Sequence, residues 1–155
     1  MKRSMADFDF DRARRSVLQY AAICTAPLFG LRQAWAAKAE ARMPGADRRW
    51  YEAAAGMQRL AESWGDQSYG AVLVLDGQIV GDGPSRVVLR GDANAHAERE
   101  AIRDAQRRLG RLKVPGSVLY STSHPCRLCE AAAAAAQVSR MVYGESLTDA
   151  GAPRP

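Results

Sequence analysis

His96-Ala97-Glu98 and, about thirty residues later, Pro125-Cys126-Arg127-Leu128-Cys129 decide the fold and chemistry of this 155-residue chain. Together the two stretches supply one imidazole, two thiols and one carboxylate. A catalytic zinc ion takes three protein ligands of the His or Cys type and leaves a fourth position to water, while a nearby carboxylate moves protons. The chain offers this set once, so the sequence predicts a hydrolytic metal site built from these two stretches.

Glu98 lies on the apolar face of a predicted helix that begins after Asp92 or Asn94, either of which can cap it, and ends near Leu109. Apolar residues recur with Glu98 at helical spacing, namely Ala101, Ile102, Ala105 and Leu109. A single glutamate on a helix is ordinarily solvated, so an inward carboxylate needs a chemical reason. Because two residues rotate by roughly 200° on a helix, His96 and Glu98 do not share a face. The site must therefore lie at the N-terminal end of this helix.

The second stretch predicts another helix start. Pro125 suits the first position of a helix, which places Cys126 and Cys129 on the opening turn. The partial positive charge of a helix N-terminus favours thiolate over thiol. This placement favours metal binding by both sulfurs.

The remaining elements predict an α/β fold with a mixed central sheet of about four strands. The predicted strands are Ala71 to Leu75, Ile79 to Gly81, Ser117 to Ser121 and Met141 to Gly144, and a further helix runs from Asp47 to about Trp64. The Asp76-Gly77 pair is a strong hairpin signal, so the first two strands should be antiparallel. Strands joined through helices should pair in parallel.

The first 36 residues do not resemble the rest of the fold. Arg14-Arg15-Ser16-Val17-Leu18-Gln19 resembles a twin-arginine export motif; an apolar run to Leu31 and the cleavage-type Ala34-Trp35-Ala36 follow. We expect a signal peptide at 1–36, a linker at 37–46 and the functional domain at 47–155. The protein would then be periplasmic or secreted, with membrane contact during export only. A cytosolic amphipathic helix, in a cytoplasmic protein, is the alternative.

Charge gives little support to a nucleic-acid partner. The net charge is +5, but residues 1–36 hold six Lys/Arg and three Asp, which leaves 16 basic and 14 acidic residues, a balance of +2, in the remainder. One basic cluster remains, formed by Arg103, Arg107, Arg108, Arg111 and Lys113. A solvated helix face explains it, so the charge does not favour nucleic acid as a partner.

From about Arg49 to Gly144 the chain resembles the cytidine and deoxycytidylate deaminase superfamily, in its branch of tRNA adenosine, guanine and cytosine deaminases. Ser68 to Val74 is similar to the family's first strand, Asp92 to Arg103 to its zinc and acid/base helix, and Pro125 to Cys129 to its second ligand segment. The resemblance implies a three-layer α-β-α, cytidine-deaminase-like fold.

The resemblance also implies roles. One zinc ion per chain would be bound by His96, Cys126 and Cys129. Glu98 would be the catalytic acid and base, and backbone groups near Ala97 would help hold the nucleobase of the substrate. The implied reaction is hydrolytic deamination of a purine or pyrimidine, as free base or nucleoside, by a homodimer of the kind usual among relatives. Transfer RNA is disfavoured if the leader functions, because that substrate lies in the cytosol.

Three departures from the family pattern affect the substrate. Ser85 falls where relatives place an asparagine that contacts base or sugar, and its side chain offers fewer bonds. His124 replaces the glutamate of the family's Glu-Pro-Cys, beside the site, and is a candidate substrate contact. Eleven residues follow Gly144, where relatives continue through another strand and a terminal helix, so we expect a C-terminally shortened fold with a pocket that is open or completed by a second subunit.

Two other functions stay open. A structural zinc would recruit a fourth protein ligand, which Glu98 or His124 could supply, and the chain would then be a non-catalytic structural or assembly module. An exported Cys-x-x-Cys protein with thiol redox activity would use the same two cysteines, but it leaves His96 and Glu98 without a role.

Overall fold

The computed structural model describes residues 46–155, which form four helices and five strands. The expected leader at 1–36 lies outside the described residues, and so does the expected linker except for its last residue, Ala46, where the first helix begins. In chain order the elements are α1 (Ala46–Ser63), β1 (Gly70–Leu75), β2 (Gln78–Pro84), α2 (Val87–Arg90), α3 (Ala97–Leu109), β3 (Val118–Ser121), α4 (Arg127–Ala135), β4 (Arg140–Tyr143) and β5 (Thr148–Gly151). No helix within this part of the chain is long and apolar enough to cross a membrane.

The five strands form one mixed sheet in the order β2-β1-β3-β4-β5. Strand β1 pairs antiparallel with both β2 and β3, and β3 pairs parallel with β4. The predicted hairpin and the predicted parallel pairing across a helix are both confirmed. Because β3 and β4 run in the same direction, their C-terminal ends lie on the same side of the sheet. The loop after β3 and the start of α4 lie at that end of the strands.

Strand β5 corrects the prediction of about four strands. Thr148–Gly151 pairs antiparallel with the edge of β4. Its residues are exposed or half-buried, so the stretch lacks the apolar alternation by which a strand is recognised from sequence. A further strand after Gly144, which the shortened C-terminus was expected to lack, is therefore present.

The sheet has helices on both faces, which confirms the three-layer α-β-α arrangement. On one face, α3 and α4 pack on the inward residues of β1, β3 and β4 through a cluster that includes Ala101, Leu119 and Met141. On the other face, α1 packs through Trp50 and Ala54. Alternate strand residues point to opposite layers, so β1, β3 and β4 each contribute to both cores.

Helix α3 lies unusually close to β2 because β2 carries two glycines that face it. A Cβ atom on Gly81 would lie 2.1 Å from the Ala101 carbonyl oxygen, and one on Gly83 would lie 2.1 Å from that of Ala97. Neither position can hold a larger residue unless the helix moves. The two glycines therefore allow the short distance between β2 and α3, including the N-terminal end of α3.

Candidate metal centre and active site

The first residues of α3 and α4 bring the two halves of the site together. His96 is the N-cap of α3 and Cys126 is the N-cap of α4; both have extended backbones and neither side chain caps its helix. The side chains are thus available to a ligand beside two helix N-termini. The predicted caps were wrong: Asp92 instead accepts a hydrogen bond from the Asn94 N–H at 2.8 Å, within the turn before the helix. Pro125 likewise precedes the cap instead of opening the helix.

Three donor atoms converge at these helix ends. The Nδ1 atom of His96 lies 3.6 Å from the Sγ of Cys126 and 3.5 Å from that of Cys129, and the two sulfurs are 3.5 Å apart. Zinc bonds of about 2.3 Å to sulfur and 2.0 Å to nitrogen, at tetrahedral angles, would place two sulfurs about 3.8 Å apart and sulfur and nitrogen about 3.5 Å apart. The spacing of the three atoms therefore fits one tetrahedral zinc ion.

The chemistry of the donors also fits zinc. Cys129 is fully buried while Cys126 is exposed. Burial, followed by the negative charge of Glu98, raises the pKa of the Cys129 thiol far above its ordinary value. A protein does not stably bury a second negative charge beside Glu98 without a cation. A metal ion held by these donors would supply that cation and would favour the thiolate form of a ligating cysteine.

Glu98 lies beside the three donors without joining them. Its side chain is 5% exposed. The Ser121 hydroxyl donates to Oε1 at 3.2 Å, and the Cys129 thiol donates to Oε2 at 3.5 Å. Among residues 46–155, the group whose donor atoms all lie within 4.8 Å of one another consists of His96, Cys126 and Cys129 and includes neither Glu98 nor His124. The fourth coordination position therefore has no ready protein ligand in this part of the chain.

A cavity of about 350 Å³ opens beside the metal ligands. It is lined by Gln67, Tyr69, His96, Ala97, Glu98, Ser123, His124 and Cys126. The structure therefore places Ala97 and His124 at the cavity, where the sequence predicted substrate contacts. The His124 ring packs edge-on against that of Tyr143, with centroids 4.7 Å apart, which limits the directions in which the imidazole can turn.

Ser85 does not line this cavity. Its side chain is fully buried, and its hydroxyl donates to the Asp66 Oδ1 atom at 2.9 Å. Its backbone N–H donates to the carbonyl of Tyr69 at 3.0 Å. Substrate contact by Ser85 stays a prediction from sequence; the bonds that Ser85 makes here hold neighbouring chain segments together.

Sequence reasoning missed Gln67, Ser121 and Ser123, and it treated Tyr69 as part of a strand motif only. Gln67 and Tyr69 lie in the loop between α1 and β1, where no periodic pattern distinguishes a cavity residue from any other loop residue. The sequence contains a weak indication that Ser121 is functional, since it is a polar residue at the C-terminal end of an apolar strand. Its partner Glu98 is on another element, and the pairing depends on the fold.

Residues 44–145 match the family model for the cytidine and deoxycytidylate deaminase zinc-binding region. The match covers more than half of the chain, and the chain belongs to this family. The matched range contains His96, Glu98, Cys126 and Cys129, so the residues that converge in the structure all fall inside it.

Three relatives of the chain are deaminases with two kinds of substrate in their names. The tRNA-specific adenosine deaminase of Buchnera aphidicola (subsp. Schizaphis graminum) is 34% identical over 103 residues, 66% of this chain and 68% of the relative. That of Agrobacterium fabrum is 42% identical over 83 residues, 54% of this chain and 55% of the relative. The guanine deaminase of Bacillus subtilis is 38% identical over 82 residues, 53% of each protein. The chain thus spans between about half and two thirds of the length of these relatives.

Solved structures agree with the fold. One, from a study of A-to-I editing by tRNA deaminases at the wobble position, aligns with a TM-score of 0.61 at 38% identity over 63% of this chain and 70% of that one. The guanine deaminase of Bacillus subtilis aligns with a TM-score of 0.60 at 31% identity over 63% of this chain and 62% of that one. The three-layer arrangement is therefore shared with both types of deaminase.

Proposed function

We propose that this chain is a zinc-dependent hydrolytic deaminase that removes the amine of a nucleobase, presented as a free base or nucleoside, and releases ammonia. One observation carries the proposal: three zinc-type donors lie at tetrahedral spacing, and a buried carboxylate lies next to them but outside their group. That combination is the arrangement of a catalytic metal site, which needs an open position and a separate proton carrier.

His96, Cys126 and Cys129 would hold the zinc, whose Lewis acidity lowers the pKa of water to near neutrality. Glu98 would be the general base and general acid of the reaction. Its carboxylate would take one proton from the attacking water and pass it to the ring nitrogen. It would then take the second proton from the hydroxyl now bonded to the ring carbon and pass it to the amine, which leaves as ammonia while the carbonyl forms. The Ser121 hydroxyl bonds to Oε1 and so fixes the carboxylate's orientation, which leaves Oε2 on the side of the ligands.

The alternatives have less support from the geometry. A structural zinc needs a fourth protein ligand, and within residues 46–155 neither Glu98 nor His124 joins the three donors. A thiol redox centre gives no function to His96, although its Nδ1 atom lies within 3.6 Å of both sulfurs. Measuring zinc in protein purified without chelator separates the redox centre from a zinc site, since we expect one ion per chain and a redox protein would hold none. Ammonia release separates a catalytic zinc from a structural one.

The basic cluster on α3 gives no support to a polynucleotide substrate. Three of the basic residues on α3 are neutralised by local carboxylates: Arg103 by Glu100, Arg107 by Asp104, and Arg108 by Asp82 and Asp104. Arg107 and Arg108 also lie in the last turn of α3, at the opposite end of the helix from His96. A polynucleotide needs unpaired basic groups near the site to contact its phosphates. A second candidate, adenosine within transfer RNA, is favoured by the 42% identity to a tRNA-specific adenosine deaminase.

An ammonia-release screen tests the proposal. Zinc-loaded protein is incubated with guanine, cytosine, adenine, their nucleosides and a transfer RNA, with the Glu98→Gln variant as the control. We expect Glu98-dependent ammonia release from at least one base or nucleoside and none from the transfer RNA. Release from the transfer RNA alone would replace the first candidate with the second, and release from none would end the deaminase proposal.

We further propose export through the twin-arginine route to the periplasm or outside the cell. The support is the Arg14-Arg15 motif with the following apolar run and Ala34-Trp35-Ala36, all of which precede the described residues. Replacing both arginines with lysine should leave the precursor in the cytoplasm, as cell fractionation would measure. Unchanged export would require another route, and a wild-type chain found wholly in the cytoplasm would establish the cytoplasmic alternative.

We also propose a homodimer, because dimers are usual among the relatives that the chain resembles. Light scattering during gel filtration measures the mass directly. A mass of one chain across the working concentration range would refute it.

A further inference from the structure

The cavity contains polar side chains that the proposed chemistry does not use. His96 and Cys126 would bind zinc and Glu98 would carry protons, which leaves Gln67, Tyr69, Ser123 and His124 as polar groups for the substrate. The His124 ring already packs against Tyr143. Gln67 is the one carboxamide in the lining. A carboxamide offers a donor and an acceptor side by side, which matches the edge of a purine or pyrimidine.

The Gln67 side chain is free to make such bonds. It is exposed, and within residues 46–155 its amide group makes no hydrogen bond. The backbone of Gln67, in contrast, is held at both ends: its N–H donates to Asp66 Oδ1 at 2.7 Å, and its carbonyl accepts the Tyr69 N–H at 2.7 Å. The residue therefore presents an unpaired amide from a fixed point on the cavity wall.

Asp66 is the anchor of this arrangement. Its Oδ1 atom accepts from the Gln67 N–H and the Ser85 hydroxyl, and its Oδ2 atom accepts from the Leu89 N–H at 2.8 Å. One carboxylate thus ties the loop before β1 to the segment after β2. Burial raises the pKa of Asp66, but the hydrogen bonds from Leu89, Gln67 and Ser85 together lower it by more. The pKa therefore lies below its ordinary value, and the group is charged at neutral pH.

We propose that Gln67 determines which base is accepted, by hydrogen bonding to its edge, and that Asp66 and Ser85 are positioning residues that hold Gln67 at the cavity. This inference rests on the proposed deaminase function. Ser85 then influences the substrate from beneath the loop, through Asp66, without contacting it. The chemical class of ligand is a heterocycle with adjacent hydrogen-bond donor and acceptor groups on one edge.

The first test replaces Gln67 with alanine. Loss of an uncharged hydrogen bond to the bound base should raise KM for the preferred base about tenfold, leave kcat within about twofold, and reduce the preference among guanine, cytosine and adenine. Gln78→Ala is the matched control, because Gln78 is also exposed but begins β2 at the hairpin. An unchanged KM and an unchanged order of preference would refute the role of Gln67.

The second test asks whether Asp66 acts through Gln67. Whichever way its amide turns, Asp66→Asn places an NH2 donor against either the Leu89 N–H or the Gln67 N–H. It should therefore raise KM, and in the Gln67→Ala background it should raise KM no further. Asp76→Asn, in the exposed β1–β2 turn, is the matched control. Ser85→Ala should behave like Asp66→Asn and covers the case in which that variant does not fold. If Asp66→Asn or Ser85→Ala still raises KM in the Gln67→Ala background, the positioning role is refuted. For Ser85→Ala, that result would instead favour direct contact between Ser85 and the substrate.

The failure of this inference differs from the failure of the proposed function. If Glu98-dependent ammonia release occurs and Gln67→Ala changes neither KM nor preference, the deaminase stands and Gln67 is not its specificity residue. If no substrate releases ammonia, direct titration with 8-azaguanine, a base analogue, decides: wild-type binding that Gln67→Ala weakens about tenfold supports the role of Gln67, and equal affinity refutes it.

Discussion

Glu98 and Glu100 are two buried carboxylates on the same helix, and their surroundings differ completely. Glu98 is 5% exposed and Glu100 is 3% exposed. Because two residues rotate by roughly 200° around a helix, the two side chains point to opposite sides of α3. Glu100 meets Arg90 and Arg103, each at 2.9 Å, and the Nε of Arg86 at 3.8 Å. Glu98 meets a hydroxyl and a thiol, and it forms no ion pair within residues 46–155.

The comparison separates a structural carboxylate from a chemical one. Burial alone does not distinguish them, since both are almost inaccessible. A buried carboxylate is tolerated when cations and hydrogen bonds compensate for the lost solvation, as they do for Glu100. Glu98 lacks that compensation from protein side chains and faces a group of metal-type donors. Its burial makes chemical sense when a metal ion is the missing cation.

Removing a metal ligand should have the largest effect on zinc content and turnover. It should also remove the neighbouring metal ion that distinguishes Glu98 from Glu100. We expect Cys129→Ser to reduce zinc from one ion to below about a tenth per chain and to eliminate turnover, because a catalytic zinc needs three protein ligands. Cys126→Ser should do the same. Cys24→Ser in the full chain is the matched control and should retain its zinc. Metal analysis by mass spectrometry measures all three, and zinc retained in Cys129→Ser would exclude Cys129 as a ligand.

The next largest effect should follow from Glu98→Gln. Loss of the proton carrier should lower kcat by a factor of about a thousand while zinc content stays at one per chain. In the metal-free protein the free energy of unfolding should stay the same or rise, since the variant replaces a buried carboxylate that has no cationic partner among the described side chains with a neutral group. Steady-state ammonia release and denaturant unfolding measure the two effects. Turnover at the wild-type rate would remove Glu98 from its assigned role.

The matched change two residues later should give the opposite result. We expect Glu100→Gln to lower the free energy of unfolding by about 1–2 kcal/mol, a moderate loss because the arginines are partly exposed to solvent. Zinc content and kcat should stay within about twofold of the wild type at temperatures where the protein is folded. Unchanged stability combined with lost turnover would show that Glu100 takes part in the chemistry and that the contrast with Glu98 is wrong.

The smallest effect should come from removing one of the cations around Glu100. The side chain of Arg103 is 37% exposed, so its ion pair is screened by water. Arg103→Gln should change the free energy of unfolding by less than about 0.5 kcal/mol, because Arg90 still pairs with the carboxylate. Denaturant titration against the wild type measures this. A loss as large as that of Glu100→Gln would mean that Arg103 alone compensates the buried charge.

Sequence reasoning located Glu98 well and Glu100 poorly. The apolar stripe through Ala101, Ile102 and Ala105 placed Glu98 inward, and the structure buries all four residues. Nothing in the stripe indicated that Glu100 is also buried, because its burial depends on arginines from the segment after β2. The short helix α2 was not predicted for a related reason: four residues are too few to show a periodic pattern.

The substrate side of the cavity was the least predictable part of the site. Ser85 was placed there by position alone, but in the folded chain its hydroxyl is committed to Asp66 beneath the loop. Gln67 and Tyr69, which do line the cavity, lie in a loop without a pattern. Which loop residues reach a cavity depends on how α1 and β1 pack, and a single sequence does not encode that in local spacing.

The sequence by itself determined the donor set, the catalytic candidate, the hairpin and the layered α/β class, because these follow from residue chemistry and from periodicities of two and 3.6 residues. Tertiary structure alone decided that His96, Cys126 and Cys129 meet at tetrahedral spacing, that Ser121 orients Glu98, that three arginines surround Glu100, and that Asp66 gathers Gln67, Ser85 and Leu89. Most of those contacts join residues from separate elements; the exceptions are Cys126 with Cys129 at the start of α4, Arg103 with Glu100 in α3, and Asp66 with Gln67 in one loop. Their distances are fixed by the packing of whole helices on the sheet, which no local pattern contains.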